Sequence, residues 1–96
     1  IENSSLICRS GVVGPKASEL LVVSERYGVD FALHRCPTRE ELTEDSFIKG
    51  LAEDINLLNL NLVFLCLGFP RQEDLAFALR PLLKGPCVFF FASELL

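Results

Sequence analysis

The sequence predicts a single α/β domain spanning residues 1–96. Three observations predict it. Short apolar runs without alternation recur, most plainly at residues 62–67 and 87–91. Segments with apolar residues at helical spacing lie between those runs. Gly and Pro fall at the junctions. Continuous apolar strands alternating with helices imply a parallel sheet covered by helices on both faces.

The elements follow in order. Residues 5–9 read as a first strand, and Gly11-Val12-Val13-Gly14-Pro15 as the turn after it. Pro15 suits a first helical position, where its missing N–H costs nothing. Ala17, Leu20, Leu21 and Tyr27 follow near-helical spacing, and Gly28 is a C-terminal stop. Residues 29–34 form a second apolar run, broken by Cys36-Pro37-Thr38. Thr38, with Glu41 three residues on, or Thr43 is the expected cap of the next helix. Phe47, Ile48, Leu51, Ala52, Ile55 and Leu58 then make the clearest amphipathic stripe.

Residues 62–67 read as a strand covered on both faces. Gly68-Phe69-Pro70 turns the chain, with Pro70 again at an expected first helical position. Leu75, Ala76, Leu79, Leu82 and Leu83 make a third stripe, and Pro81 is expected to kink or end that helix. Residues 87–91 read as a fourth buried strand. The result is a three-layer α/β/α, Rossmann-like or flavodoxin-like domain. Its four parallel strands, in the order 2-1-3-4, alternate with three helices. Ligands in such sheets bind at the C-terminal strand ends where the strand order reverses. That point lies between strands 1 and 3, at the loops 10–15 and 68–72.

Composition excludes several classes. Half of the residues are hydrophobic and the mean hydropathy is +0.37, which argues against disorder. No apolar stretch approaches the length of a membrane span, and no signal peptide is apparent. The net charge of −4 argues against nucleic-acid binding. Cys8, Cys36, Cys66 and Cys87 are widely separated and show no CxxC, so neither a metal site nor a cofactor is expected. Cys8, Cys66 and Cys87, in or beside apolar runs, read as small buried hydrophobes of a reducing, cytoplasmic protein. The chain has no Met and begins at Ile1, which points to a fragment, or to a trimmed or processed chain.

Two loops carry candidate chemistry. Each places Gly where backbone must approach closely, then Pro at a helix start, where unpaired N–H groups can hold phosphate. Gly11 and Gly14 match two glycines of GxGxxG, with Arg9 in place of the first. In the second loop, Arg71 is suited to phosphate and Gln72 to a sugar or base. His34, the single histidine, reads as a polar residue at the end of a strand.

The segment Leu62-Val63-Phe64-Leu65-Cys66-Leu67-Gly68-Phe69-Pro70-Arg71-Gln72-Glu73 resembles the hallmark of the WecB/TagA/CpsF glycosyltransferases. There an apolar strand leads into G-x-P-[KR]-Q-E and then a helix. Ile55-Asn56 followed by Asn59 looks like the family's "IN" helix end. Gly11-Val12-Val13-Gly14-Pro15-Lys16-Ala17, with the helix to Arg26-Tyr27, looks like its earlier glycine turn and "RY" helix end. Nearly the whole chain lies along the C-terminal half of that domain.

The resemblance implies an inverting transferase of N-acetylmannosamine-type sugars. Such an enzyme takes a UDP-linked donor and a membrane lipid-diphosphate acceptor, in bacterial cell-surface polysaccharide synthesis. It implies an active-site role for Gln72, with Gly68, Pro70, Arg71 and Glu73 around it. Two departures stand out. The family's proposed catalytic Asp lies in an N-terminal half that nothing here matches. Phe89-Phe90-Phe91-Ala92-Ser93-Glu94 stands where the family has a Gly-rich segment.

The expected partners are UDP or a UDP-sugar, with peripheral membrane contact and no nucleic acid. The expected assembly is a homo-oligomer, or pairing with the missing N-terminal half. The alternative reading is a catalytically inactive module that dimerises through exposed apolar surface.

Overall fold

The computed structural model describes residues 9–91. Its strands are β1 (Ser10–Val13), β2 (Phe31–Arg35), β3 (Leu62–Leu65) and β4 (Val88–Phe91). Its helices are α1 (Ala17–Tyr27), α2 (Asp45–Leu58) and α3 (Arg71–Leu79). All strand pairs are parallel and the order is β2-β1-β3-β4, as the sequence predicts.

The chain leaves β1 in one direction, toward β2, and later returns past β1 toward β3 and β4. With one crossover hand, this reversal puts α1 on one face and both other helices on the opposite face. The packing shows that division. Leu20 and Tyr27 of α1 pack with Val12, Phe64 and Cys66. Leu51, Ala52 and Ile55 of α2 and Leu75, Ala76 and Leu79 of α3 pack with Val13, Leu33, Val63 and Leu65. Burying each such aliphatic side chain contributes roughly 1.5–3 kcal/mol. On the α1 face the rings of Phe31, Phe64, Tyr27 and Phe90 form one connected cluster, with centroids 4.9–5.4 Å apart.

Several boundaries differ from the sequence reading. The expected first strand at 5–9 lies outside the described residues except for Arg9, which is not in a strand. The strand is instead Ser10–Val13, so Gly11 belongs to β1 and not to the turn. A Cβ on Gly11 would sit 2.8 Å from Leu60 Cδ1 and 3.2 Å from Leu33 Cβ. The glycine therefore admits neighbouring core side chains.

Pro15 is not the first helical residue. Lys16 is the N-cap of α1, in an extended conformation, and Pro15 precedes it. Pro70 likewise is the N-cap of α3, joined to Phe69 by a cis peptide bond. Thr38 and Glu41 do form a reciprocal capping box, with bonds of 3.1 and 2.8 Å. The box caps a 3-10 turn, Glu41–Thr43. Extended Glu44 separates that turn from α2 and is its cap. Gly28 ends α1 at φ 64°, and a 3-10 turn containing Pro81 ends α3, both as expected.

The fourth strand is not buried. Only Phe89 is covered, while Val88 is 64% and Phe90 and Phe91 are each 42% exposed. β4 is the outer strand, and Tyr27 of α1 packs against its Phe90. Among the described residues no helix is long and apolar enough to cross a membrane.

The N-terminal end of the sheet is closed by amides. Asn59 ends α2 in the left-handed region at φ 55°. Asn61 Oδ1 accepts from the Arg9 backbone N–H at 3.0 Å, and Arg9 Nε donates to the Leu58 carbonyl at 2.7 Å. Asn56 donates to the Leu82 carbonyl at 3.1 Å and accepts from the Lys84 N–H at 2.9 Å. One side chain thus fixes α2 to the connection between α3 and β4. Asn56→Ala is expected to destabilise the fold by about 1–2 kcal/mol, because two backbone groups lose their partner. Urea denaturation checks this, together with faster amide exchange at Lys84.

Candidate functional site

The strand order reverses at the C-terminal ends of β1 and β3, and the backbone there is closely knit. Cys66 N–H donates to the Val13 carbonyl at 2.8 Å, and Gly14 N–H to the Arg35 carbonyl at 2.9 Å. Gly14 has φ 131°, and a Cβ there would lie 2.7 Å from the Cys66 carbonyl carbon. No side chain fits between the two loops at that point. The requirement for glycine comes from the neighbouring loop, before any ligand is considered.

His34, at the end of β2, ties down the same turn. Its Nε2 lies 2.6 Å from the Pro15 carbonyl oxygen. A carbonyl only accepts, so Nε2 carries the proton and donates. Arg35 extends outward to Asp54 at 2.9 Å, an exposed pair of small energetic weight.

The candidate residues therefore divide. Gly14 and the loop from Cys66 to Pro70 meet directly, while Gly11 sits within β1 beneath Leu60. Arg9, the residue aligned with the first glycine of a GxGxxG pattern, lies at the opposite end of the sheet, against Leu58 and Asn61. In the second loop Gly68 has φ 83° with open space around it, so its glycine serves backbone conformation alone. Gln72 N–H donates to the Gly68 carbonyl at 3.0 Å and Asp74 N–H to Pro70 at 2.9 Å, which starts α3 immediately after the loop.

Side-chain polarity at this end is uneven. Gln72 is only 5% exposed, and its Oε1 has no hydrogen-bond partner. Glu73 Oε1 is also buried and without a partner. An orphaned buried acceptor costs roughly 1–3 kcal/mol. Both atoms accept, so their natural complement is a hydroxyl or N–H group. A diphosphate diester, fully ionised at neutral pH, offers neither.

The helix N-termini also carry acids. Glu19 Oε1 accepts from the Lys16 N–H at 3.0 Å, and Glu73 and Asp74 stand in the first turn of α3. Lys16 and Arg71 are the cations beside them. Phe69, at the tip of the second loop, is 79% exposed.

Cys66 is buried between these loops. Burial, with a smaller contribution from the nearby Glu19 carboxylate, pushes its thiol up from 9.0 to about 11. Cys36 is exposed and Cys87 half-buried, while Cys8 lies outside the described residues. Among the described residues no group of three His, Cys, Asp or Glu side chains is placed to hold a metal ion. A surface hollow of about 570 Å³ lies elsewhere, between α2 and the α3–β4 connection, and includes Lys49, Leu57 and Lys84.

Sequence reasoning missed the contact between Gly14 and Cys66 and the tether from His34 to Pro15. Neither has a spacing signature, because each joins residues from different strands.

Two outcomes are expected. Gly14→Ala destabilises by about 3 kcal/mol or more, since it adds positive-φ strain to a backbone clash. Gly28→Ala, left-handed but in open space, costs only about 1–2 kcal/mol. Thermal denaturation separates the two. The Cys66 thiol gives a pH dependence. The unfolded chain ionises it from pH 9.0, whereas the folded chain holds the proton to about 11. Its contribution is therefore intact below pH 9.0 and is lost on the way to about 11, on the order of 2 kcal/mol. Urea midpoints measured across that range fall more steeply for the wild type than for Cys66→Ala.

No family model matches the chain, and no curated protein matches it in sequence.

Proposed function

We propose that the chain binds a nucleotide sugar of the UDP-N-acetylhexosamine type at the C-terminal ends of β1 and β3. The observation that carries this reading is Gln72: a buried amide at the start of α3 whose oxygen has no partner. A folding role alone leaves that oxygen unexplained. A sugar hydroxyl or an N-acetyl N–H supplies the missing donor and recovers the desolvation cost on binding. Glu73 Oε1 asks for the same kind of group.

The fold supports the location, because parallel sheets bind ligands where the strand order reverses. The diphosphate falls to Arg71 and Lys16 in this reading, since the first turn of α3 is acidic. Gly14, Gly68 and Pro70 shape the two loops around the ligand. The resemblance of residues 62–73 to the WecB/TagA/CpsF hallmark supports the same donor class. It extends the proposal to a glycosyltransferase-like role at the cytoplasmic side of a membrane, with a lipid-diphosphate acceptor.

An inverting transfer needs a carboxylate base within hydrogen-bond reach of the acceptor hydroxyl. The resemblance assigns that base to none of these residues, so the part proposed for this chain is donor binding.

Titration of isotope-labelled protein with UDP-N-acetylglucosamine tests the proposal. Amide shifts are expected at Gly14, Lys16 and the non-proline residues of 66–72, and their absence up to millimolar ligand overturns it. Gln72→Leu sharpens the test. It is expected to weaken binding about tenfold or more while leaving stability unchanged or raised by up to ~1 kcal/mol, because it deletes an orphaned acceptor. A loss of stability typical of a core deletion would instead assign Gln72 to the fold.

A further inference from the structure

Phe69 stands at the tip of the loop between β3 and α3 and is 79% exposed. Its place is braced from both sides. Gly68 turns the backbone at φ 83°, and its carbonyl accepts from the Gln72 N–H at 3.0 Å. The Pro70 carbonyl accepts from the Asp74 N–H at 2.9 Å. Ring contacts among the described residues join Tyr27, Phe31, Phe64 and Phe90, and Phe69 takes part in none of them. An aromatic ring held outward on a braced loop adds little to the core, but it is a face on which another ring can stack.

We propose that Phe69 stacks on the pyrimidine base of the nucleotide. The inference rests on the nucleotide-sugar reading and assigns the part of that ligand which has no partner there. In that reading the sugar meets the buried Gln72 oxygen, and Arg71 and Lys16 hold the diphosphate at the rim. The base then continues outward from the rim. Phe69 is the aromatic residue of that loop and precedes Arg71 by two positions.

Charge favours a base over the other use of an exposed ring, which is insertion into an anionic lipid surface. A pyrimidine is neutral, so Glu73 and Asp74 in the first turn of α3 do not repel it. The same carboxylates oppose an anionic surface. Stacking is tolerant of base identity, because every base has a π face. Phe69 therefore adds affinity for the nucleotide part of the ligand and none for the sugar phosphate.

Titration with UDP-N-acetylglucosamine, and with N-acetylglucosamine 1-phosphate as the fragment without a base, tests this. Phe69→Ala is expected to weaken the nucleotide sugar about tenfold and to leave the thermal midpoint unchanged. Phe77→Ala, on α3 and 82% exposed, is expected to change neither. The chain has no Trp, so Phe69→Trp places a single indole at the stacking position. Its fluorescence is expected to be quenched by UDP-N-acetylglucosamine and not by the sugar phosphate. Absence of amide shifts in the wild type defeats the nucleotide-sugar reading, and this inference with it. Shifts at Gly14 and Lys16 with undiminished affinity in Phe69→Ala, or an unquenched Phe69→Trp, defeat the stacking alone. So does a Phe69→Ala variant that loses stability, or binding to anionic vesicles, while keeping its affinity for the nucleotide sugar.

Discussion

The contact between Gly14 and the Cys66 backbone organises the C-terminal end of the sheet. β1 and β3 are neighbours in the sheet but distant in sequence, and the chain leaves them for opposite faces. Their exits must pass each other at the strand ends. Gly14, at φ 131°, lets one backbone lie against the carbonyl group of the other. Cys66 N–H bonded to Val13, and Gly14 N–H bonded to Arg35, hold three strand ends in one plane. His34 then fixes the Pro15 carbonyl from the side. The starts of α1 and α3 inherit their positions from this junction.

That arrangement leaves a chemically lopsided end. Two helix N-termini of a parallel sheet usually offer positive potential to a phosphate. Here Glu19 already accepts from the cap of α1, and α3 opens with Glu73 and Asp74. The buried atoms without partners are acceptors as well. In the proposed reading the sugar's hydroxyl and N–H donors meet these acceptors, and Arg71 and Lys16 at the rim hold the charge of the diphosphate.

Much of the fold is legible in the sequence because it rests on local signals. The unbroken run at residues 62–67 has to be covered on both faces, and the stripe from Phe47 to Leu58 has one apolar side. One crossover hand then leaves few topologies, among them the observed order β2-β1-β3-β4. The misplacements have a common cause. Gly11 to Val13 read as part of a turn because Gly11 is a turn residue by habit, but its bare Cα accommodates Leu60 and Leu33, which lie outside β1. Thr38 and Glu41 have capping spacing and do form the box, yet spacing does not reveal that a 3-10 turn intervenes before α2. The run at 87–91 looked buried because hydropathy reports what a strand tolerates, whereas coverage depends on a neighbouring element. At the candidate site the loops were legible, but the state of the Gln72 oxygen was not, because a missing bond has no sequence signature.

The residues that carry the family resemblance can be sorted by whether folding alone accounts for them. Ile55 is in the core, Asn56 fixes α2 to the chain before β4, and Asn59 takes the left-handed helix end. Gly14 accommodates Cys66, and Gly68 supplies a positive φ. Pro70 caps α3. Each of these has a structural reason, so their recurrence in another family would follow from a shared fold. Gln72 differs. A leucine there would fill similar space and leave no acceptor stranded, and neighbouring Leu75 and Ala76 show that apolar residues suit the buried side of this helix. A polar group kept at such a position against the interest of stability is what a binding site requires. The case for function therefore rests on Gln72, with Arg71 and Glu73 beside it, and not on the motif residues that the fold itself requires.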